Sequence, residues 1–214
     1  AEVPAYWIPT MHGLGESRSA LHMLEEMVRT FRNNASVCFW CIGNECLYNN
    51  TSEGQSNLGY FLEAADMLRE RDPSRLVTYT GGFEGPDSPN IEVICPQALV
   101  DKLDVVAINS YAGIHDGADP DAPPEFGEHY QKIVAAAAFG KPLILAEVGI
   151  DAVKGETGFD YGETRQADYY RKVVDLFNQC VEEGCLQGMT PFVLNDFATP
   201  IKLGRFQQGY NRKG

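Results

Sequence analysis

The chain has 214 residues, 44 % hydrophobic and 11 % aromatic, and a formal net charge of −13. That is enough apolar material for one full core and excludes a disordered chain, while no apolar run reaches the ~18–20 residues that a bilayer span needs. The acidic balance argues against nucleic acid or an anionic membrane as partner.

Taken in order, Glu2 to Ile8 is a short apolar, aromatic stretch with Pro4 inside it, which suits a strand end or edge. The loop from Pro9 to Gly15 carries His12, a solvated residue or a sugar contact. Glu16 to Asn33 reads as a helix, because Ala20, Leu24, Met27, Val28 and Phe31 recur at three- and four-residue spacing. Ser36 to Glu45 follows as an uncharged apolar run ending in Asn44-Glu45, the pattern of a strand buried on both faces. A polar loop spans Leu47 to Ser56, and a second helix, Asn57 to Arg71, stops before Pro73. Leu76 to Thr80 is a β-branched strand closed by Gly81-Gly82.

A loop covers Phe83 to Pro96, and Gln97 to Leu103 reads as one or two helical turns. The next buried strand, Asp104 to Ser110, exits at Tyr111, before an acidic loop from Gly113 to Glu125. A helix from Phe126 to Phe139 then leads to the strand Pro142 to Ala146, which exits at Glu147. Glu163 to Glu183 reads as a long helix and Gly188 to Leu194 as the last strand, with a loop-like tail to Gly214.

Alternating strands and helices imply a parallel sheet with right-handed crossovers, in an open doubly wound sheet or a (β/α)8 TIM barrel. No Gly-rich phosphate loop follows a strand, which counts against nucleotide binding. Two apolar strands ending in glutamate, Glu45 and Glu147, favour the barrel, whose substrates sit at the carboxyl ends of the strands. A glutamate behind such a strand can be partly desolvated and so suited to general acid work; it can equally cap a helix or sit in a solvated loop. Two carboxyl groups flanking a bond are what glycoside hydrolysis requires, ~5–5.5 Å apart in a retaining enzyme. The pair could instead hold a divalent cation, but no further oxygen ligands are grouped near either glutamate. An isomerase on the same barrel would need a metal or phosphate site that the sequence does not offer.

Four motifs carry a family resemblance: Ser36-Val-Cys-Phe-Trp-Cys-Ile-Gly-Asn44-Glu45, Asp104-Val-Val-Ala-Ile-Asn109-Ser-Tyr111, Lys141-Pro-Leu-Ile-Leu-Ala-Glu147-Val-Gly149 and Gly188-Met-Thr-Pro-Phe-Val-Leu-Asn-Asp196-Phe197. Together they resemble barrel strands four, six, seven and eight of glycoside hydrolase family 2, the β-galactosidase and β-glucuronidase family. The segment at Glu2 is similar to its third strand. The resemblance implies a (β/α)8 barrel with strands three to eight present, a catalytic domain over residues 1–214, and no cofactor or metal. It implies Glu45 as acid/base, Glu147 as nucleophile, Asn44 on the sugar 2-hydroxyl, and Asn109 and Tyr111 as substrate contacts, with the tyrosine orienting the nucleophile. Two positions depart from the family: His115 stands where a second site tyrosine is usual, and Phe192 where a tryptophan platform is usual. Asn211-Arg212-Lys213 is similar to the Asn-x-Lys motif by which β-glucuronidases bind a uronate carboxylate, although β-galactosidase-like members end similarly. A noncatalytic carbohydrate-binding or structural barrel fragment is the competing reading.

Both ends of the chain read as cuts through a longer sequence, lacking the family's β-sandwich domains and first two barrel strands. The expected partners are therefore a carbohydrate substrate and the rest of a larger polypeptide or a homo-oligomer. Cys38, Cys41, Cys46, Cys95, Cys180 and Cys185 read as buried thiols of a reducing compartment. Three glycosylation sequons, at Asn34, Asn49 and Asn50, point the other way and leave the compartment open.

Overall fold

A computed structural model describes residues 1–5, 14–47, 52–82, 95–111, 126–157, 161–200, 202–204 and 207–214. The helices are α1 (Leu14–Phe31), α2 (Ser52–Arg71), α3 (Gln97–Val100), α4 (Phe126–Ala137) and α5 (Glu163–Glu182). The strands are β1 (Phe39–Asn44), β2 (Leu76–Gly82), β3 (Val105–Asn109), β4 (Leu143–Val148), β5 (Gly188–Pro191), β6 (Phe197–Ala198) and β7 (Tyr210–Asn211). Strands β1 to β5 are hydrogen-bonded in chain order, and β6 and β7 form a separate antiparallel pair. None of the described helices is long and apolar enough to cross a membrane.

The chain divides into two compact units, residues 1–108 with 135–144, and residues 109–134 with 145–214. In the first unit β1 and β2 run parallel, with Phe39, Trp40 and Cys41 opposite Leu76, Val77 and Thr78. On the other edge of β1, Glu2 forms a parallel bridge with Cys41, and the amides of Val3 and Cys41 bond to Cys41 O and Ala1 O. This is where the sequence places the third barrel strand. Ala20, Leu24 and Val28 of α1 and Tyr60, Phe61, Ala64, Ala65 and Leu68 of α2 are buried, as their helical spacing requires. Phe31, grouped with the apolar face of α1 by spacing, lies at the helix end and is exposed.

Every residue of β3 is buried, the mark of a strand covered on both faces. In the second unit α5 buries Tyr169, Val173 and Cys180.

Several boundaries differ from the sequence reading. The first long strand begins at Phe39 because an Asx turn, Ser36 N–H to Asn34 Oδ1 at 2.9 Å, holds the chain just before it. Helix α2 starts five residues earlier than Asn57, at Ser52. Glu147 lies inside β4 rather than after it, and β5 ends at Pro191, so Phe192 to Leu194 lie past the strand. The tail read as a loop contributes the β6–β7 pair. The cysteines are all thiols; Cys41, Cys46, Cys95 and Cys180 are buried, but Cys185 is half-buried and Cys38 exposed. Burial pushes the Cys41 and Cys95 thiols up to about 12, so both are inert hydrophobes.

Candidate active site

The exit of β1 is built on an irregular pairing. Cys41 faces Thr78, but Asn44 faces Thr80, so three steps on β1 match two on β2. The extra residue re-aims the side chains that follow, as bulges do. Glu45 comes next with φ of 53°, a left-handed conformation that costs a non-glycine residue energy. Three hydrogen bonds from the backbone to β2 stabilise it: Glu45 N–H donates to Thr80 O at 2.8 Å, and Cys46 and Leu47 N–H both donate to Tyr79 Oη at 2.9 Å. Tyr79 is fully buried, and burial holds its phenol well above its ordinary pKa, hence protonated. Asn44 is buried and its backbone N–H donates to Ala5 O, while Glu45 is half-buried. A Cβ on Gly82, at the end of β2, would lie 2.9 Å from Glu45 Oε1 and 3.0 Å from both Cδ and Cγ. The Glu45 carboxyl therefore occupies the space that a side chain at residue 82 would fill.

The second unit collects the other group. Ser110 N–H donates to Glu147 O at 2.9 Å, which fixes the end of β4 against the exit of β3. The Tyr111 hydroxyl donates to Glu147 Oε2. Asn109 is buried, and Tyr111 and Glu147 are half-buried. The Phe192 ring meets Tyr111 edge-on at 6.4 Å between centroids and Phe197 at 6.2 Å. Phe192 N–H bonds to Val148 O at 2.8 Å, which ties the residue after β5 to β4.

Lys213 is also in this group. Its side chain is 6 % exposed, and Nζ lies 3.3 Å from Asp151 Oδ2 and 5.4 Å from the centroid of the Tyr111 ring. Asp151 is buried too; it accepts from Gln207 Nε2 and from Arg212 N–H, both at 3.1 Å. Asn211 is buried in β7 and accepts the Lys213 N–H at 3.3 Å. Gly214 leaves no room for a Cβ, which would lie 2.3 Å from Asn195 C and Asp196 N. The Asn-Arg-Lys-Gly end is thus a packed element rather than a solvated tail.

His12 and His115 lie outside the described residues. Among the described residues, no group of three His, Cys, Asp or Glu side chains could hold a metal ion.

The sequence matches the family model for glycosyl hydrolases family 2, TIM barrel domain, over residues 10–185. The chain belongs to that family. Its element and strand order are those of an incomplete (β/α)8 barrel, as the sequence leads one to expect. Among curated family 2 relatives, a β-glucuronidase of Paenibacillus borealis is 29 % identical across 90 % of this chain. A β-galactosidase of Erwinia tasmaniensis is 26 % identical across 69 %. The chain spans 30 % and 12 % of those two proteins' lengths. The crystal structure of Bacteroides uniformis β-glucuronidase superposes with a TM-score of 0.77 at 21 % identity, covering all of this chain and 25 % of that one.

Four residues of the two groups escape a reading of the sequence: Tyr79, Gly82, Asp151 and Gln207. None sits in a motif, and each acts through a partner distant in sequence. In the sequence Gly82 reads only as a strand stop.

Proposed function

We propose that the chain carries the catalytic barrel residues of a retaining exo-β-glycosidase, β-glucuronidase-like in its sugar, within a larger polypeptide. The observation that carries this reading is the Tyr111 hydroxyl on Glu147 Oε2 at the carboxyl end of β4. That bond fixes the orientation of the carboxylate that would attack an anomeric carbon.

In the first step Glu147 displaces the aglycone from the anomeric carbon while Glu45 gives its proton to the leaving oxygen. In the second, Glu45 as carboxylate takes a proton from water, and that water releases the sugar from Glu147 with net retention. The two carboxyls need a separation of about 5–5.5 Å in the working enzyme. Asn44 suits the 2-hydroxyl, where hydrogen bonds strengthen toward the transition state. Phe192 offers an apolar face to the sugar, and Asn109 and His115 are further substrate contacts. Asn211 and Lys213 fit a uronate carboxylate, since an ammonium in a buried setting discriminates a charged sugar from a neutral one.

One observation favours a second reading. Asp151 already faces Lys213 Nζ at 3.3 Å, which offsets the cation and suits a neutral sugar such as a galactoside. The deciding experiment is hydrolysis of matched 4-nitrophenyl β-glucuronide and β-galactoside by the intact protein, with the first-formed anomer read by NMR. Retention with a glucuronide preference is expected; inversion, or no hydrolysis of either, overturns the reading.

A further inference from the structure

We propose that Gly82 is a positioning residue for Glu45: the missing side chain at the end of β2 is the space in which the acid/base carboxyl is held. The inference rests on the assignment of Glu45 above. Two observations carry it. The φ of Gly82 lies outside the left-handed region, so its backbone is one that any residue can adopt. Glycine is therefore not demanded by the chain path. The three atoms nearest to a Cβ there all belong to Glu45: Oε1 at 2.9 Å, and Cδ and Cγ at 3.0 Å.

The backbone of Glu45 cannot easily give way. Its left-handed turn is anchored by the amides of residues 45 to 47 on Thr80 O and Tyr79 Oη, two and three residues before Gly82 on the same strand. The flexible part is the carboxyl itself. A methyl group at residue 82 should leave the fold intact and push the carboxyl aside. A displacement of about 1 Å at a catalytic group can cost on the order of 100-fold in rate. The loss must follow the need for a proton: a dinitrophenolate leaves unaided, whereas an alkoxide does not.

The test compares wild type, Gly82→Ala and Glu45→Gln in the intact protein. Each is assayed on a methyl and a 2,4-dinitrophenyl β-glycoside, and the side-chain carboxyls of ¹³C-labelled glutamates are titrated by NMR. For Gly82→Ala, kcat/KM on the methyl glycoside should fall about 10- to 100-fold, against less than about threefold on the dinitrophenyl glycoside. The Glu45 resonance, assigned through Glu45→Gln, should move, and the melting temperature should not. Equal losses on the two substrates, or an unchanged rate on the methyl glycoside, overturn the proposal. A wild type that hydrolyses neither substrate overturns the glycosidase reading instead. The titration then judges the contact by itself, and a Glu45 resonance unmoved in Gly82→Ala refutes it.

Discussion

The Tyr111 hydroxyl donates a hydrogen bond to Glu147 Oε2, so the residue that follows β3 and its buried Asn109-Ser110 exit holds the carboxylate near the end of β4. Ser110 N–H on Glu147 O repeats the tie in the backbone. Tyr111→Phe keeps the ring and its edge contact with Phe192 but removes the donor. We expect kcat to fall about 10- to 100-fold, the value of a charge-assisted hydrogen bond, with the melting temperature nearly unchanged. Steady-state kinetics and a thermal melt check it; an unaltered kcat would remove Tyr111 from the account.

Lys213→Ala should lower kcat/KM on a β-glucuronide about 10- to 100-fold more than on a β-galactoside. The variant also leaves the buried Asp151 carboxylate with Gln207 and the Arg212 amide but without its cation. Some of the protein should therefore unfold more readily, by about 3–5 kcal/mol. The ratio of the two kcat/KM values is unaffected by the folded fraction and is the quantity to read. An unchanged ratio would leave the galactoside reading in possession.

Gly149→Ala should behave unlike Gly82→Ala. A Cβ at Gly149 would lie 2.4 Å from the backbone Phe192 O, which cannot swing aside as a carboxyl can. We expect a loss of about 1–3 kcal/mol in stability together with lower activity on every substrate, good or poor leaving group alike. Chemical denaturation and the same two-substrate assay measure both.

Asp72 is a stability hub away from the chemistry. Burial pushes its carboxyl upward, but hydrogen bonds from Ser74, Trp40 Nε1 and Arg75 outweigh that and hold it down at about 2. Arg75 bonds Asp72 Oδ2 at 2.8 Å, reaches Val37 O and Asn34 O, and stacks over Trp40. A carboxyl whose pKa is lowered by folding contributes its full stability above the ordinary aspartate range and loses it as pH falls toward 2. Asp72→Asn should thus cost about 2–4 kcal/mol at pH 7, with the gap to wild type closing between pH 4 and about pH 2. Urea melts at pH 7, 4 and 2.5 test this; a gap independent of pH would contradict it.

The helices and long strands were legible because their periodicity is local: α1 and α2 place their buried residues at helical spacing, and β3 carries the apolar run Val105-Val106-Ala107-Ile108. Asn44-Glu45 and Glu147 were legible as acids and amides after such runs. The tail was not, because β6 and β7 have two residues each and carry no period. Burial of Lys213 depends on Asp151, 62 residues earlier, and no local pattern announces it. The same holds for Gly82, which matters only once the bulge in β1 and the left-handed Glu45 have aimed a carboxyl at it.

Glu147 is the residue expected to become covalently glycosylated. Incubating the protein with a 2-deoxy-2-fluoro β-glycosyl fluoride of the preferred sugar, then digesting it and mapping the adduct by mass spectrometry, tests that directly. One sugar per chain, on Glu147, is expected. A sugar on any other residue, or turnover of the natural glycoside with no adduct formed, would contradict it.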